Sequence, residues 1–477
     1  MKRITLVCAS SVCLSLGLLA CGSDPEEKAG QVGDGCTVGS AEDACAAGLS
    51  CDPLAQGTSF VCGVPVTIRG TVQDALTLEA VEGGRVVALA ADGSPVGDVA
   101  YSDADGGYSV VVSAPRNADG SVAETAKWTL FVSAQGYLSF PEGPRPAVPI
   151  FANQLGDTQQ VQAANTDVTL LPLQNPEAYA RQISGTISAP DSGGTLVVAE
   201  GGSVPAPYGI ASRSGDFVLF NVPAGSFEIA GYKRGQQLTK PSADATANSV
   251  EGVQLDTADA PLGGVSGSVN IVNAPGGSLT SVVLVPQSVF DSTLERGPIP
   301  LGLRAPGLPE APSVSGQFAL EDVPNGDYMV LAAFENDGLV RDPDSSIAGT
   351  TLQTVSVDSG EAVAMSQSFK ITEGLAIVGP GADAPETVSG AVTFKWADDS
   401  SEDRYELELY SALGDLVWED RAVPGGRGGS AVELAYSGPA LLPGMFYQFR
   451  VTSYRDRATA VAISRSEDLR GVFEYHE

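Results

Sequence analysis

A strand opener that occurs three times most constrains what this chain can fold into. It reads Ile68-Arg-Gly70-Thr-Val72, then Ile183-Ser-Gly185-Thr-Ile187, then Val265-Ser-Gly267-Ser-Val269. Each copy is followed by a turn and a Gly-x-aromatic segment: Gly106-Gly-Tyr108, Gly215-Asp-Phe217 and Gly316-Gln-Phe318. Apolar residues at every second position, as in Phe318, Leu320 and onward to Val323, mark a strand with one face buried. Composition points the same way. With 43% hydrophobic residues the chain is too apolar to be disordered, and with 56 Gly and 31 Pro it is too rich in turn residues for long helices. The expected fold class is all-β, as tandem β-sandwich domains after a small disulfide-rich N-terminal segment. A length of 477 residues allows three or four such domains.

Two copies also share Val222-Pro-Ala-Gly225-Ser-Phe227 and Val323-Pro-Asn-Gly326-Asp-Tyr328, which predict a tight hairpin whose return strand begins at the aromatic. The first copy lacks this motif, and a strand over Trp128-Thr-Leu-Phe-Val132 stands where the return belongs. Over residues 66–371 the pattern resembles the carboxypeptidase regulatory-domain family, a transthyretin-like β-sandwich. The first copy carries that family's turn as Asp103-Ala-Asp105-Gly106-Gly-Tyr108, whereas the later copies keep only Ser214-Gly215 and Ser315-Gly316. The resemblance implies a spacer or binding role and no peptidase activity. The last hundred residues differ. Leu441-Leu-Pro443-Gly444-Met-Phe-Tyr447 resembles the fibronectin type III signature, in which the Tyr makes a tyrosine corner. Trp396 and Trp418 are expected in the core of that module.

At the other end, Lys2 and Arg3 precede a short apolar run that closes on Leu18-Leu19-Ala20-Cys21. The run is too short and too interrupted by serines to span a bilayer, and it has the parts of a secretory signal. It resembles the lipobox of bacterial lipoproteins, which implies cleavage after Ala20 and lipidation of Cys21. The expected location is therefore the bacterial cell envelope, lipid-anchored, at the outer membrane, and in overall plan the chain resembles large lipoproteins of myxobacteria. The expected organisation is a signal peptide (1–20), a lipidated tether (21–35), a disulfide-rich knot (36–63), three regulatory-like sandwiches (66–172, 181–260 and 263–372) and a fibronectin type III-like sandwich (375–477). Short linkers at Leu170 through Ala180 and Ala258 through Gly264 suggest an elongated stalk.

Of the seven cysteines, Cys8 and Cys13 leave with the signal and Cys21 carries the lipid. Cys36, Cys45, Cys51 and Cys62 remain within one short exported segment and read as two disulfides, with three connectivities open. The expected pairing is Cys36 with Cys51 and Cys45 with Cys62. A four-cysteine zinc site is disfavoured because no Cys-x-x-Cys pair is present.

The charge is −32, and −34 once Lys2 and Arg3 are removed. Such a polyanion does not follow a phosphate backbone, so no nucleic-acid partner is expected. The single histidine, His476, sits beside the C-terminus, a poor place from which to orient a triad or build a multi-His zinc site. No phosphate-binding glycine loop is present. The chain is therefore expected to be non-enzymatic, with no catalytic residues and no organic cofactor. Calcium is the metal to consider, held by Glu335, Asp337, Asp342 and Asp344. Asp103 with Asp105, and Asp398-Asp399 through Glu402-Asp403, are weaker oxygen clusters. The function expected is an elongated structural or adhesive stalk on the envelope. The alternative is a protein that binds carbohydrate or another envelope polymer through Tyr101, Tyr137 or Tyr208, and a fixed post in a transport assembly comes third. Expected partners are the membrane, through the lipid, and an envelope protein or polysaccharide.

Overall fold

The computed structural model describes residues 29–38, 44–272, 280–334, 352–366, 368–372, 374–399, 402–426, 431–467 and 469–477. Among them the regular structure is β-strand with four short 3₁₀ turns, and the protein is a series of β-sandwiches behind a small three-stranded sheet. That first sheet places Phe60–Gly63 between Gly35–Cys36 and Ser50–Pro53, and it is stapled by Cys36–Cys51 and Cys45–Cys62.

Each opener becomes the central strand of one sheet. Val66–Asp74 pairs antiparallel with Gly107–Val112 and parallel with Gln160–Val161 and Val168–Leu170. Arg181–Ser188 lies between Asp216–Val222 and Val250–Asp256 in the same sense, as Gly263–Val272 does between Gln317–Val323 and Ala362–Ala364. The two repeated motifs are cross-strand partners: Gly70 faces Tyr108, Gly185 faces Phe217 and Gly267 faces Phe318. The glycine is required because a Cβ at 185 would lie 1.8 Å from the Val253 carbonyl oxygen and 2.8 Å from the Phe217 ring. The aromatic fills the space a side chain would have taken. In the first copy the Tyr108 hydroxyl also donates to the Thr166 carbonyl at 2.6 Å.

The Val-Pro-x-Gly segments correct the hairpin expectation. Asp216–Val222 belongs to one sheet, and Ser226–Tyr232 pairs with Leu196–Glu200 in the facing sheet. Gln317–Val323 and Gly326–Phe334 are divided in the same way. Asn221 and Asp322 take left-handed φ of 57° and 58° just before the Val-Pro corner, and that bend carries the chain across the core.

The second facing sheet (Tyr208–Ile210, Leu196–Glu200, Ser226–Tyr232, Ser242–Asp244) contributes to two cores. Val197, Ala199 and Ile229 join the core of their own sandwich, while Leu196, Val198, Ala230 and Tyr232 join that of the next. There Tyr232 meets Tyr328 edge-on, with ring centroids 5.9 Å apart. In the last module, Trp396 is fully buried against Tyr405, and Trp418 stacks on Phe394. The Tyr447 hydroxyl accepts the Leu442 N–H at 2.8 Å.

The modules also touch beyond their neighbours in the chain. The last sandwich also rests on the first and third. Ala75 and Leu171 of the first sandwich enter its core. Arg450, 5% exposed, donates to the Thr293 and Leu294 carbonyls, and Arg465 pairs with Glu295 at 2.8 Å. Between the first and second sandwiches, buried Arg85 donates to the Ile210 and Asp216 carbonyls, and Asn221 donates to the Tyr137 carbonyl at 2.7 Å. The segment after Leu170 is packed rather than loose, with Gln174 donating to Asp415.

Candidate functional site

Two places gather polar chemistry: the seat of the disulfide sheet, and the loops where the sandwiches meet. The disulfide sheet is joined to the first sandwich through Asp52 and Arg116, whose side chains are 2% and 1% exposed. Arg116 donates to Asp52 Oδ2 from Nε at 2.9 Å and from Nη2 at 2.7 Å. Ser50 donates to the same oxygen, and Ser113 donates to Oδ1 at 2.7 Å. Nη2 also donates to the Val64 carbonyl. Gly63 makes room, because a Cβ there would lie 2.6 Å from the Arg116 guanidinium carbon. A charge buried this deeply is tolerated only when paired and hydrogen-bonded throughout. Neither residue stood out in the sequence, since a single Asp and a single Arg far apart in the chain carry no distinguishing spacing. Beside the pair, a cleft of about 400 Å³ opens between the disulfide sheet and the first two sandwiches, lined in part by Val38, Cys45, Ser50, Val111 and Arg213.

The acidic loops among the described residues are occupied by the protein's own donors. Asp103 Oδ1 accepts the N–H groups of Asp105 and Gly107 and so closes its turn. In the second copy the Ser212 hydroxyl accepts from Asp216 N–H at 3.0 Å, which explains how the aspartate pair can be lost. Asp398 Oδ1 accepts from the Tyr405 hydroxyl and the Gly426 N–H. Asp399 accepts from Ser453 and Asp403 from the Asp456 N–H. Burial, then the neighbouring Asp398 and Asp399, push the Glu402 carboxyl above its ordinary value. Among the described residues the one metal-like grouping is Cys36, Cys45 and Cys62, and those sulfurs are in disulfides. Glu335, Asp337, Asp342 and Asp344, together with Cys21, lie outside the described residues.

His476 contacts Glu474 at 3.1 Å and is 48% exposed. The three tyrosines considered as sugar platforms part company. Tyr101 is 55% exposed on a short edge strand. Tyr137 is partly buried, its hydroxyl pushed up by burial and then by Asp74. Tyr208 is drawn into the junction between sandwiches, its ring 6.3 Å from Phe131. Among the described residues no helix is long and apolar enough to cross a membrane.

No protein-family model matches the chain, and no curated protein matches it. Among solved structures, it is similar to a minor pilin of Streptococcus agalactiae at 13% identity, over 40% of this chain and 95% of that one, with a TM-score of 0.19. Two B repeat units of the collagen-binding protein of Staphylococcus aureus align at 10% identity over 86% and 98%, with a TM-score of 0.18. The shaft pilin SpaA of Lactobacillus rhamnosus GG aligns at 10% over 41% and 99%, also at 0.18. Likeness at this level assigns no role to this chain.

Proposed function

We propose that the protein is a non-enzymatic lipoprotein of the bacterial envelope, held in the outer membrane by Cys21, whose sandwiches form a structural or adhesive body. The observation that carries this reading is the mount. The Leu18-Leu19-Ala20-Cys21 segment leads through residues 22–34 to the disulfide sheet, which is clamped to the first sandwich by the buried Asp52–Arg116 pair. Several buried acyl chains, at roughly 0.8 kcal/mol per methylene, make the attachment effectively permanent. Within this reading the first three sandwiches are regulatory-like modules, supported by the Gly–aromatic register, and the last is fibronectin type III-like, supported by the Tyr447–Leu442 contact.

The membrane, through the lipid, and an envelope protein or polysaccharide are the partners this reading calls for. Polymer binding through tyrosine platforms is the weaker alternative, because Tyr208 is committed to packing between sandwiches. The test is fractionation of cells that make the wild type or Cys21→Ser. Wild type is expected with the outer membrane, and the variant in the soluble fraction or unprocessed. Mature Cys21→Ser that still partitions with membranes would overturn the anchor. Saturable binding of the purified chain to the host's envelope polysaccharide would replace the structural reading with the polymer-binding one.

A further inference from the structure

The disulfide sheet keeps its sulfurs on one face and its clamp on the other. Cys51 stands directly opposite Cys62, and Cys36 stands opposite Phe60, two residues before Cys62. Side chains two apart on a strand share a face, so Cys36, Cys51 and Cys62 belong to the same one. Asp52, next along its strand, turns to the opposite face and to Arg116. The Sγ atoms of Cys36, Cys45 and Cys62 all lie within 4.8 Å of one another, so the Cys36–Cys51 and Cys45–Cys62 bridges are neighbours. The cleft of about 400 Å³ beside the sheet is lined by Cys45 and Cys51, one partner of each bridge. Cys62 is fully buried.

We propose that this cleft is a thiol–disulfide exchange site, at which a thiol from outside is captured on Cys51. The incoming thiolate attacks Cys51 Sγ and forms a mixed disulfide. The Cys36–Cys51 bond breaks, and its electron pair leaves on Cys36 Sγ as a thiolate. Cys36 Sγ then attacks Cys62 Sγ of the neighbouring bridge, which makes a Cys36–Cys62 disulfide and releases Cys45 as the thiolate. Cys45 is the partner that leaves because it lines the cleft, where water can solvate the charge and supply a proton, whereas Cys62 is enclosed. Two disulfides and one thiol stand on each side of the sequence, so no oxidant or reductant is consumed.

The surroundings let the bridges change partners while the sheet stays in place. Phe60–Gly63 remains paired with both of its neighbours, and the Asp52–Arg116 pair on the opposite face holds the sheet to the first sandwich. The charged residues that line the cleft are Asp52, Asp98 and Arg213. Arg116 neutralises Asp52. An arriving thiolate therefore meets the exposed Arg213, which attracts it and favours its charged form, and the exposed Asp98, which opposes it.

The test uses the chain from residue 21 with Cys21→Ser, which leaves the sheet's own cysteines as the only ones. It is incubated with reduced glutathione, trapped with iodoacetamide and mapped by mass spectrometry of its peptides. The expected product carries glutathione on Cys51, a Cys36–Cys62 bridge and an alkylated Cys45. No adduct, or an adduct on Cys51 with Cys36 alkylated and Cys45–Cys62 intact, would overturn the exchange. Rates test the cleft itself. Arg213→Glu is expected to slow adduct formation about fivefold and Asp98→Asn to speed it about twofold, with the thermal midpoint unmoved. Val111→Trp, at a 52% exposed position lining the cleft, should obstruct it and slow the reaction. Equal rates in these variants and the parent would overturn the assignment to the cleft. A parallel arm with a folded protein bearing one surface cysteine identifies the source of the thiol. Adducts in both arms support capture of protein partners, and an adduct with glutathione alone supports a site for small thiols.

Discussion

Replacing Asp52 with Ala removes the anion from a pair that water does not reach. Arg116 then keeps its contacts to the Val64 and Gly120 carbonyls, at 2.6 and 3.3 Å, and loses both bonds to carboxylate. Breaking one side of a buried pair costs about 3–5 kcal/mol, mainly from the charge left behind. The two surviving carbonyl contacts place the expected cost near the lower end, about 3 kcal/mol, or roughly 150-fold in the local opening equilibrium. The exposed pair between Lys395 and Glu433, at 2.8 Å, has a similar distance but belongs to the class of surface pairs worth about 0–1 kcal/mol. Native-state hydrogen exchange reads the difference directly, with Phe60–Gly63 and Gly107–Val112 as reporters. Asp52→Ala should accelerate exchange in both strands together, with little response to added salt, since buried charges are weakly screened. Arg116→Met combined with Asp52→Leu should cost less than Asp52→Ala alone, because no charge is stranded. A loss under about 1 kcal/mol for Asp52→Ala, or exchange that rises in Phe60–Gly63 alone, would refute the idea that this pair unites the disulfide sheet with the first sandwich.

Gly185→Ala drives a methyl into the Val253 carbonyl and should lower the thermal midpoint, at a cost of about 2–3 kcal/mol. The same substitution at Gly235, where nothing lies within 4 Å, tests strain from its φ of 80° alone and should cost less. Tyr447→Phe deletes the acceptor for the Leu442 N–H and should cost about 1 kcal/mol by urea denaturation, without changing the other sandwiches. Reducing the disulfides opens loops with sequence separations of 15 and 17 residues, each expected to be worth about 3 kcal/mol, and should raise protease sensitivity between residues 29 and 64 first.

The fold class was legible because period-2 patterning is a local signal and the three openers repeat it. The register between opener glycine and later aromatic was also present in the sequence, although it becomes visible only once Gly70 and Tyr108 are seen as partners. The Val-Pro-x-Gly corner was misread for a physical reason. A turn composition states that the chain reverses or bends, and it does not state whether the next strand pairs beside the last one or in the facing sheet. The acidic clusters exposed the same limit. Carboxylates that accept backbone N–H groups in turns and carboxylates that gather a cation have one composition, and Asp103 belongs to the first kind.

The packing between modules did leave a trace that a half-buried strand model passes over. Leu196-Val-Val-Ala199 and Val282-Val-Leu-Val285 are apolar without alternation, and such runs belong to sheets covered on both faces. Thr280–Pro286 is buried at every position, and Leu196 and Val198 share its core from the neighbouring sandwich. Interfaces of this kind are dry in the middle, so the polar groups at their margins have to be matched. Two buried arginines fall at those margins: Arg85 is 1% and Arg450 5% exposed. Arg85 and Arg450 point at carbonyls of a different sandwich, and Arg450 also lies 3.8 Å from the Glu295 carboxylate. A guanidinium offers five donors in a fixed fork, so it can match several carbonyls across an interface at once. Arg450→Met should therefore loosen the third sandwich from the fourth while leaving the fourth folded. Separate melting of the two in calorimetry, where the parent melts them together, would be the sign, and a single unchanged transition would show that the apolar contacts suffice.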